Sequence, residues 1–216
     1  MEVDLSKIAM NKGQQYEAII TTVDNNGNTN AAPFGVRILE KDKVLLRIFE
    51  GGNSIKNIKE NRTFIVNISA NPLMLTLATI DTIPKEYLTI IENEEKGSKL
   101  AYLSNSDAYF ICEVESMKTG MRNDEFGSSE VNMIKANVVE MKINSPCVKP
   151  INRGIHALLE SLVNYSRINI VDDETQKYFL DRFKEAERLI KKVGDNEEKE
   201  AIEILKETLI KQGYEI

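Results

Sequence analysis

Apolar and polar residues alternate along the first two-thirds of the chain in the manner of β-strands. Residues 16–23 are rich in β-branched side chains and lead into a cluster of Asp, Asn and Gly at 24–28, which is typical of a hairpin turn. Residues 30–39 are predicted to return as a second strand that Pro33 and Gly35 interrupt. Further strands are predicted over residues 44–50, 63–70, 108–117 and 134–143.

A short helix is predicted over residues 53–61, directly after the strand-breaking pair Gly51 and Gly52. Asn53 or Ser54 is the expected N-cap, because either side chain can accept a hydrogen bond from the first turn of a helix. The inward face of this helix is predicted to consist of Ile55 and Ile58.

A second helix is predicted after Asn71, with Pro72 at the first helical position, where the missing N–H of proline costs nothing. Residues 73–79 of this helix are apolar enough to be buried. In contrast, residues 119–130 are polar and offer few core candidates, so we expect a mobile loop there. Arg122 in this loop could close over a ligand, or it could simply be solvated.

The pattern changes to a helical period after residues 146–150, and no strand is predicted beyond that point. Three amphipathic helices are expected to form a small bundle that packs on the β-domain or on a partner subunit. The predicted domains are therefore residues 1–150 and 151–216. The predicted buried faces are Ile155, Leu158, Leu159, Leu162 and Val163 in the first helix, Phe179, Phe183, Ala186, Ile190 and Val193 in the second, and Ile202, Leu205 and Leu209 in the third.

Composition and charge narrow the possible functions. The net charge of -6 argues against nucleic-acid binding, because phosphate neutralisation needs clustered Lys and Arg. No apolar run is long enough to span a bilayer and the chain starts with acidic residues, so we expect a cytoplasmic protein with no secretory signal and no membrane partner. Cys112 and Cys147 are expected to be free core thiols. His156 is the only histidine, so no metal site is expected.

Residues 47–57 combine the parts of a phosphate-binding site in one strand–Gly-Gly–helix segment. Free N–H groups at a helix start, hydroxyl or amide donors and a nearby guanidinium all stabilise a phosphate. Ser54 offers the hydroxyl and Asn57 lies one turn further on. Arg47 projects from the preceding strand, and Lys56 can add charge. The alternative is an ordinary strand-to-helix connection with a surface arginine.

Residues 30–36 carry a second candidate feature on the neighbouring strand. Pro33 cannot donate to a sheet ladder and Gly35 leaves a patch of bare backbone, so a flat ring could lie against this strand. The alternative is a β-bulge at a bend of the sheet. On the third strand, Arg47 and Phe49 share one face because side chains alternate along a strand.

These features resemble the FMN-binding split β-barrel superfamily, which includes flavin reductases and pyridoxamine-phosphate oxidases. The resemblance rests on the order of elements, on Ala-Pro-x-Gly-Val at residues 32–36 and on Gly-Gly-x-Ser-x-x-Asn at residues 51–57. Within the superfamily the chain is most similar to an archaeal domain-of-unknown-function family, number 447, whose C-terminal helical segment looks like the one that starts here at residues 152–154. The resemblance implies an α+β fold, a mostly antiparallel split β-barrel with a C-terminal three-helix segment.

The resemblance also implies a homodimer with FMN near the subunit interface. The phosphate slots correspond to Ser54 and Asn57, whereas Pro33 and Gly35 would border the isoalloxazine ring. Relatives often have a serine and a variable residue at the positions of Gly52 and Asn53, so one hydroxyl donor is missing and Asn53 is expected to compensate. The full set of expected cofactor-binding residues is Pro33, Phe34, Gly35, Arg47, Phe49, Gly52, Asn53, Ser54, Lys56 and Asn57.

Three functions are consistent with the sequence. The first is an FMN-dependent oxidoreductase of the flavin reductase type, in which the flavin supplies the redox chemistry and no protein acid or nucleophile has to stand out. The second is a non-catalytic FMN carrier or sensor, and the third is a ligand-free dimeric interaction module. The sequence has neither a G-x-G-x-x-G nor a G-x-x-x-x-G-K motif, so nucleotide binding by those routes is not expected.

Overall fold

The computed structural model describes residues 3–80, 83–93, 98–124 and 127–216. The chain divides into two compact units, Met1–Ile151 and Asn152–Ile216, which are here called the barrel unit and the helical unit. No helix in the described residues is long and apolar enough to cross a membrane.

The barrel unit is built on a closed antiparallel barrel of six strands. Around the barrel, hydrogen-bonded strands follow one another in the order first, second, third, eighth, seventh and fourth, counted along the chain. The fifth and sixth strands form a separate two-stranded sheet. The structure therefore confirms the predicted α+β class and antiparallel barrel. The strands are β1 (Gln15–Val23), β2 (Thr29–Glu40), β3 (Lys43–Phe49), β4 (Thr63–Ile68), β5 (Leu88–Asn93), β6 (Ser98–Leu103), β7 (Ala108–Asp124) and β8 (Gly127–Ile143).

The barrel core is sealed by α1 (Asn53–Asn61), whose inner face carries Ile55 and Ile58 as predicted. The predicted N-cap is wrong: the cap position is Gly52, and Asn53 is already the first helical residue. Alternating strand residues fill the rest of the core. They include Ile20, Val36, Leu46, Phe64, Phe110 and Ile134.

The two cysteines do not share an environment. Cys112 is buried in the barrel core, and burial raises the pKa of its thiol well above the ordinary value. Cys147 is exposed, so the prediction of a core thiol is wrong at this position. The reason is that Cys147 follows the last barrel strand, where the chain no longer alternates between inside and outside.

A second layer covers the outside of β1 and β4. The β5–β6 hairpin, which the sequence pattern did not predict, packs there together with α2 (Pro72–Thr79). The buried Asn67 side chain joins the layers: its Nδ2 donates to the Ile19 carbonyl at 2.9 Å, and its Oδ1 accepts from the Leu103 N–H at 2.8 Å. All six residues of β4 are buried because both faces of this strand are covered.

The start of α2 is confirmed, since the Asn71 side chain accepts from the Leu73 N–H at 2.9 Å and Pro72 occupies the first turn. Burial of this helix is only partial. Met74 and Ala78 face the second layer, whereas Leu73 is largely exposed.

β2 and β3 separate halfway along their length. β2 pairs with β1 throughout residues 29–37. It pairs with β3 only from Val36 onward, where Val36 lies opposite Leu46. Residues 29–35 thus have no β3 partner in the described register, and one side of this half-strand is free of a ladder.

Pro33 and Gly35 lie in this half of β2. The prediction that they interrupt the strand is wrong, because β2 continues through both, opposite Ile19 and Glu17 of β1. A residue without an N–H suits a strand segment that has a neighbour on one side only. A Cβ atom on Gly35 would overlap the Gln15 side chain, so Gln15 covers the backbone that was expected to be bare.

The polar stretch at residues 119–130 is not a loop over its described part. β7 and β8 form one long hairpin whose register continues to Asp124 opposite Gly127. The prediction failed because this outer half of the hairpin extends past the barrel core, so its residues need not alternate between apolar and polar. Backbone pairing, rather than burial, holds the strands together there.

The helical unit consists of α3 (Arg153–Tyr165), α4 (Asp173–Val193) and α5 (Asn196–Lys211), as predicted. The inner faces of α4 and α5 are confirmed by the burial of Phe183, Ile190, Ile202 and Leu205. The predicted face of α3 is wrong. Only Leu158 of that set is buried. The other four residues are exposed: Ile155, Leu159, Leu162 and Val163.

The reason lies at the start of α3, where small residues face inward. Gly154 and Ser161 are buried, so the contact face of the helix is rotated toward them. A Cβ atom on Gly154 would overlap the Glu198 carboxylate of α5. That carboxylate accepts from the Asp195 N–H at 3.1 Å and from the backbone of Ile155, so it caps two helices at once.

We expect Gly154→Ala to destabilise the chain by about 1–2 kcal/mol, because the added methyl displaces the shared cap. Urea unfolding followed by helical circular dichroism measures this cost. Glu198→Ala provides the matched background, since it removes the carboxylate that the methyl would meet. Most of the cost should disappear in the double variant. An equal cost in both backgrounds would show that the overlap with Glu198 is not the cause and would point to the contact with Asn152 Oδ1.

A candidate ligand cavity between two separated strands

A cavity of about 420 Å³ opens where β2 and β3 separate. Four segments form its wall: the first half of β2, the end of β3, the start of α1 and the end of α2. Its volume lies within the range of about 300–1,000 Å³ that is typical of small-molecule sites. The lining residues are Asn30, Ala31, Ala32, Phe34, Ile48, Phe49, Glu50, Gly52, Asn53, Ser54, Ile55, Ala78 and Thr79.

The start of α1 forms one end of this cavity. Gly51 has a φ of 100°, a left-handed conformation that favours glycine, and it turns the chain from β3 into the helix. Gly52 is extended and gives no side-chain cap to the first turn. The N–H groups of that turn are therefore available to a ligand, and the helix dipole makes this end of the cavity suitable for an anion.

Polar side chains of the barrel position this first turn. Ser54 is almost fully buried, and its Oγ accepts from Asn30 Nδ2 at 2.8 Å. Asn57 is equally buried and donates to Thr22 Oγ1 at 3.0 Å. Ser54 thus faces the cavity with one contact to the barrel, whereas Asn57 holds the helix to β1.

The other part of the cavity is apolar. Ala31, Ala32 and Ala78 offer small side chains. The rings of Phe34 and Phe49 also line it, and the Phe49 side chain is 48% exposed. Small residues beside aromatic rings leave room for a flat apolar group.

Glu50 is the ionisable side chain among the described lining residues. Its carboxylate accepts from Lys59 Nζ at 2.6 Å and from Asn132 Nδ2 at 2.6 Å. These hydrogen bonds, first that from Lys59 and then that from Asn132, lower the pKa of Glu50 below its ordinary value of 4.5. Since Lys59 belongs to α1 and Asn132 to β8, the carboxylate fixes the glycine turn between two elements.

The structure brings together half of the residues expected from the sequence. The lining contains Phe34, Phe49, Gly52, Asn53 and Ser54.

The other expected residues lie outside the lining. Pro33 and Gly35 are not among the lining residues of β2, although Ala32 and Phe34 beside them are. Arg47 is exposed on the outer face of the barrel, since Leu46 and Ile48 on either side of it belong to the core. Lys56 is exposed on α1. Asn57 is bonded to Thr22 of β1 and not to the cavity.

Sequence reasoning missed several residues of the cavity. Asn30 lies on β2, four residues before Phe34, so the two side chains share a face of the strand and the alternation could have identified Asn30. Glu50 directly precedes the glycine pair, but its role depends on Asn132, which is distant in sequence. Nothing in the local pattern indicates that Ala78 and Thr79 at the end of α2 reach this site.

The helical unit has its own shallow depression of about 340 Å³ between α3 and α4. His156 lines it and is exposed. Across the described ranges, no cluster of three or more His, Cys, Asp or Glu residues is arranged to hold a metal ion.

Comparisons with known proteins give a consistent family. Residues 16–145 match the family model described as "Protein of unknown function (DUF447) N-terminal domain", and residues 152–207 match "Protein of unknown function (DUF447)". The chain is similar to the uncharacterized protein MJ1453 of Methanocaldococcus jannaschii, at 28% identity over 193 residues, 88% of this chain and 95% of that protein.

A solved structure is similar over almost the whole chain. It is the crystal structure of the FMN-bound protein MM1853 from Methanosarcina mazei, also of DUF447. The identity is 22%, the TM-score is 0.52, and the similarity covers 94% of this chain and 99% of that one. The likeness supports the same fold.

We expect the Glu50 contacts to make stability depend on pH. Because the folded-state pKa is lowered, ionised Glu50 stabilises the fold at neutral pH, and this contribution is lost as pH falls through the folded-state pKa. Glu50→Gln should therefore unfold at lower urea concentration than the wild type near neutral pH, with a smaller difference in acid.

Glu115→Gln is the matched control for an ion pair alone, since Glu115 pairs with Lys43 at 3.2 Å and is about as exposed as Glu50 is beside Lys59. Its effect on the urea midpoint should be near zero. A Glu50→Gln difference that is the same in acid and at neutral pH would contradict the assignment.

Proposed function

This chain belongs to the DUF447 family, and from that premise and from the cavity we propose that it binds FMN between the separated strands β2 and β3. The observation that carries the proposal is the uncapped start of α1 at one end of an otherwise apolar cavity. The family member MM1853 is described as FMN-bound, which supports the same ligand here. FMN has the matching chemistry, a phosphate at one end and a flat ring system at the other.

The phosphate is assigned to the first turn of α1. The backbone N–H groups there and the Ser54 hydroxyl would donate to it, and Asn53 adds an amide in place of a second hydroxyl. Arg47 and Lys56 are exposed cations near this end in sequence. We assign to them a long-range electrostatic attraction for the phosphate, which added salt would weaken.

The ring system is assigned to the apolar part, against Phe34 and Phe49. Of the expected ring neighbours, Pro33 and Gly35 would act through the backbone of β2. Glu50 is held by Lys59 and Asn132, so it fixes the turn and is not a free acid or base in the cavity.

The proposed activity is that of a flavin-dependent oxidoreductase. A bound flavin would supply the redox chemistry, and the chain's own residues would bind and orient it and shield it from water. Glu50, held by Lys59 and Asn132, is the ionisable side chain of the described lining, which fits a site where the cofactor carries the reaction. A carrier or sensor of FMN would use the same site without turnover.

We expect the pure protein to be yellow, or to become so with added FMN. Asn53→Asp should weaken FMN binding about tenfold or more, because an added carboxylate at the helix start repels the phosphate while suiting the helix dipole. Riboflavin, which has no phosphate, should bind the variant and the wild type equally. Fluorescence titration with both ligands measures the two affinities.

Asn196→Asp is the matched control, because Asn196 is the first residue of α5. It should leave both affinities unchanged. Equal losses for FMN and riboflavin in Asn53→Asp would place the phosphate elsewhere, and absence of any flavin binding would refute the proposal. Bleaching of the bound flavin by NADH or NADPH at a useful rate would then favour an oxidoreductase over a carrier.

We also propose a homodimer. Four residues on one side of α3 support it, because Ile155, Leu159, Leu162 and Val163 are between 42% and 51% exposed and lie at helical spacing. Sedimentation velocity should give the mass of two chains for the wild type and of one chain for Leu159→Glu. Ile204→Glu, at an exposed position of α5, should remain dimeric. A wild type that sediments as one chain would contradict the proposal.

A further inference from the structure

The outer wall of β3, β8 and β7 has a regular arrangement of side chains. Val44, Leu46 and Ile48 of β3 and Ile134 of β8 belong to the core, so the residues between them face outward. Residues opposite each other in the register share a face. The outward rows, here called the basic face, are Arg37, Leu45, Lys135 and Ser116; Arg47, Met133 and Lys118; Phe49, Val131 and Gly120; and Ser129 with Arg122.

This face carries a strong positive charge in a chain whose net charge is -6. None of the residues in these rows is Asp or Glu; the adjoining outward row, Lys43, Asn137 and Glu113, carries both signs and bounds the face. The cations, all exposed, are Arg37, Arg47, Lys118, Arg122 and Lys135. They surround an apolar strip that includes Met133, 40% exposed, and Phe49. The Arg122 guanidinium lies 6.0 Å from the Phe49 ring centroid.

The shape of this face suits a protein partner. Small-molecule sites are concave, yet of the basic face only Phe49 belongs to the lining of either described cavity. Arginine, methionine and phenylalanine are enriched at protein interfaces. The rows extend roughly 20 Å along the strands, which corresponds to a small, transient contact.

The charge of this face selects among protein partners. A second copy related by a twofold axis would bring the same cations face to face, which is repulsive. We propose that the basic face docks an acidic protein, and that this protein is a one-electron carrier. Long-range attraction would steer such a partner to the face and salt would weaken the encounter.

The carrier assignment rests on the proposed function, because Phe49 belongs both to the basic face and to the cavity wall. A docked carrier would thus be separated from the cavity by about one side chain. Two reduced carriers, each oxidised by one electron in turn, would supply the two electrons that a flavin accepts. The two accompanying protons would come from solvent.

The test uses the full chain with an acidic [2Fe–2S] ferredoxin and an acidic flavodoxin as probes and a basic cytochrome c as comparison. Binding is measured by calorimetry at low ionic strength, with and without FMN. The acidic probes should bind and the cytochrome should not. Lys118→Glu combined with Lys135→Glu should weaken binding at least about tenfold while leaving FMN affinity unchanged.

Lys7→Glu combined with Lys142→Glu is the matched control, since both lysines are exposed on the same unit and the change of net charge is identical. It should bind the probes like the wild type. Equal weakening in both double variants, equal binding of the cytochrome, or no binding of either acidic probe would overturn the proposal. Loss of FMN binding with retained probe binding would instead refute only the proposed function and the carrier role.

With FMN bound, the reduced ferredoxin should bleach the flavin absorbance in the wild type and in the control variant. The rate at low salt should fall at least about tenfold in the Lys118→Glu, Lys135→Glu variant. A rate that is unchanged in this variant would overturn the carrier role even if the probes bind.

Discussion

The cavity depends on the fact that two neighbouring strands of a closed barrel are paired over only part of their length. β2 is bonded to β1 along residues 29–37, so it stays in the sheet although it has no β3 partner before Val36. Pro33 stands in the half that has a single neighbour, where its missing N–H removes nothing from a ladder. The glycine turn after Phe49 then directs the start of α1 toward the gap. Barrel closure and an open site are thereby compatible.

The sequence predicted most of the barrel because apolar residues that face the core alternate with outward residues along its strands. Ile55 and Ile58 were predicted correctly for the same reason, since a short amphipathic helix has one apolar side. The outer half of the β7–β8 hairpin was not predicted, because backbone pairing across the hairpin requires no alternation of apolar and polar residues in the sequence. The face of α3 was mistaken because Gly154 and Ser161, rather than the larger residues, make its contacts.

The candidate site could be predicted where residues consecutive in the sequence form it. The start of α1 follows from Gly51 and Gly52, and the helix indeed presents Asn53 and Ser54 to the cavity. Arg47 could have been placed outside from the sequence alone, because it alternates with core residues of β3. Glu50 could not have been understood that way, since its partner Asn132 comes from β8.

Electrostatics divides the barrel unit into regions with different roles. At the cavity, charge is local and satisfied: Glu50 is neutralised by Lys59, and the helix start contributes only partial charges. On the outer wall, five cations are spread along adjacent rows that contain no Asp or Glu. A site that selects by hydrogen bonds and a surface that selects by its electrostatic field therefore lie next to each other and share Phe49.

The carboxylate of Glu198 caps the first helix of its unit from the last one. During synthesis, α3 leaves the ribosome well before the residue that completes its cap. The β7–β8 hairpin, by contrast, has all its partners within reach as soon as β8 has emerged. The barrel can thus close before the helical unit, which has to wait for the residues of α5. Force measurements on ribosome-stalled chains would register the two events at separate lengths.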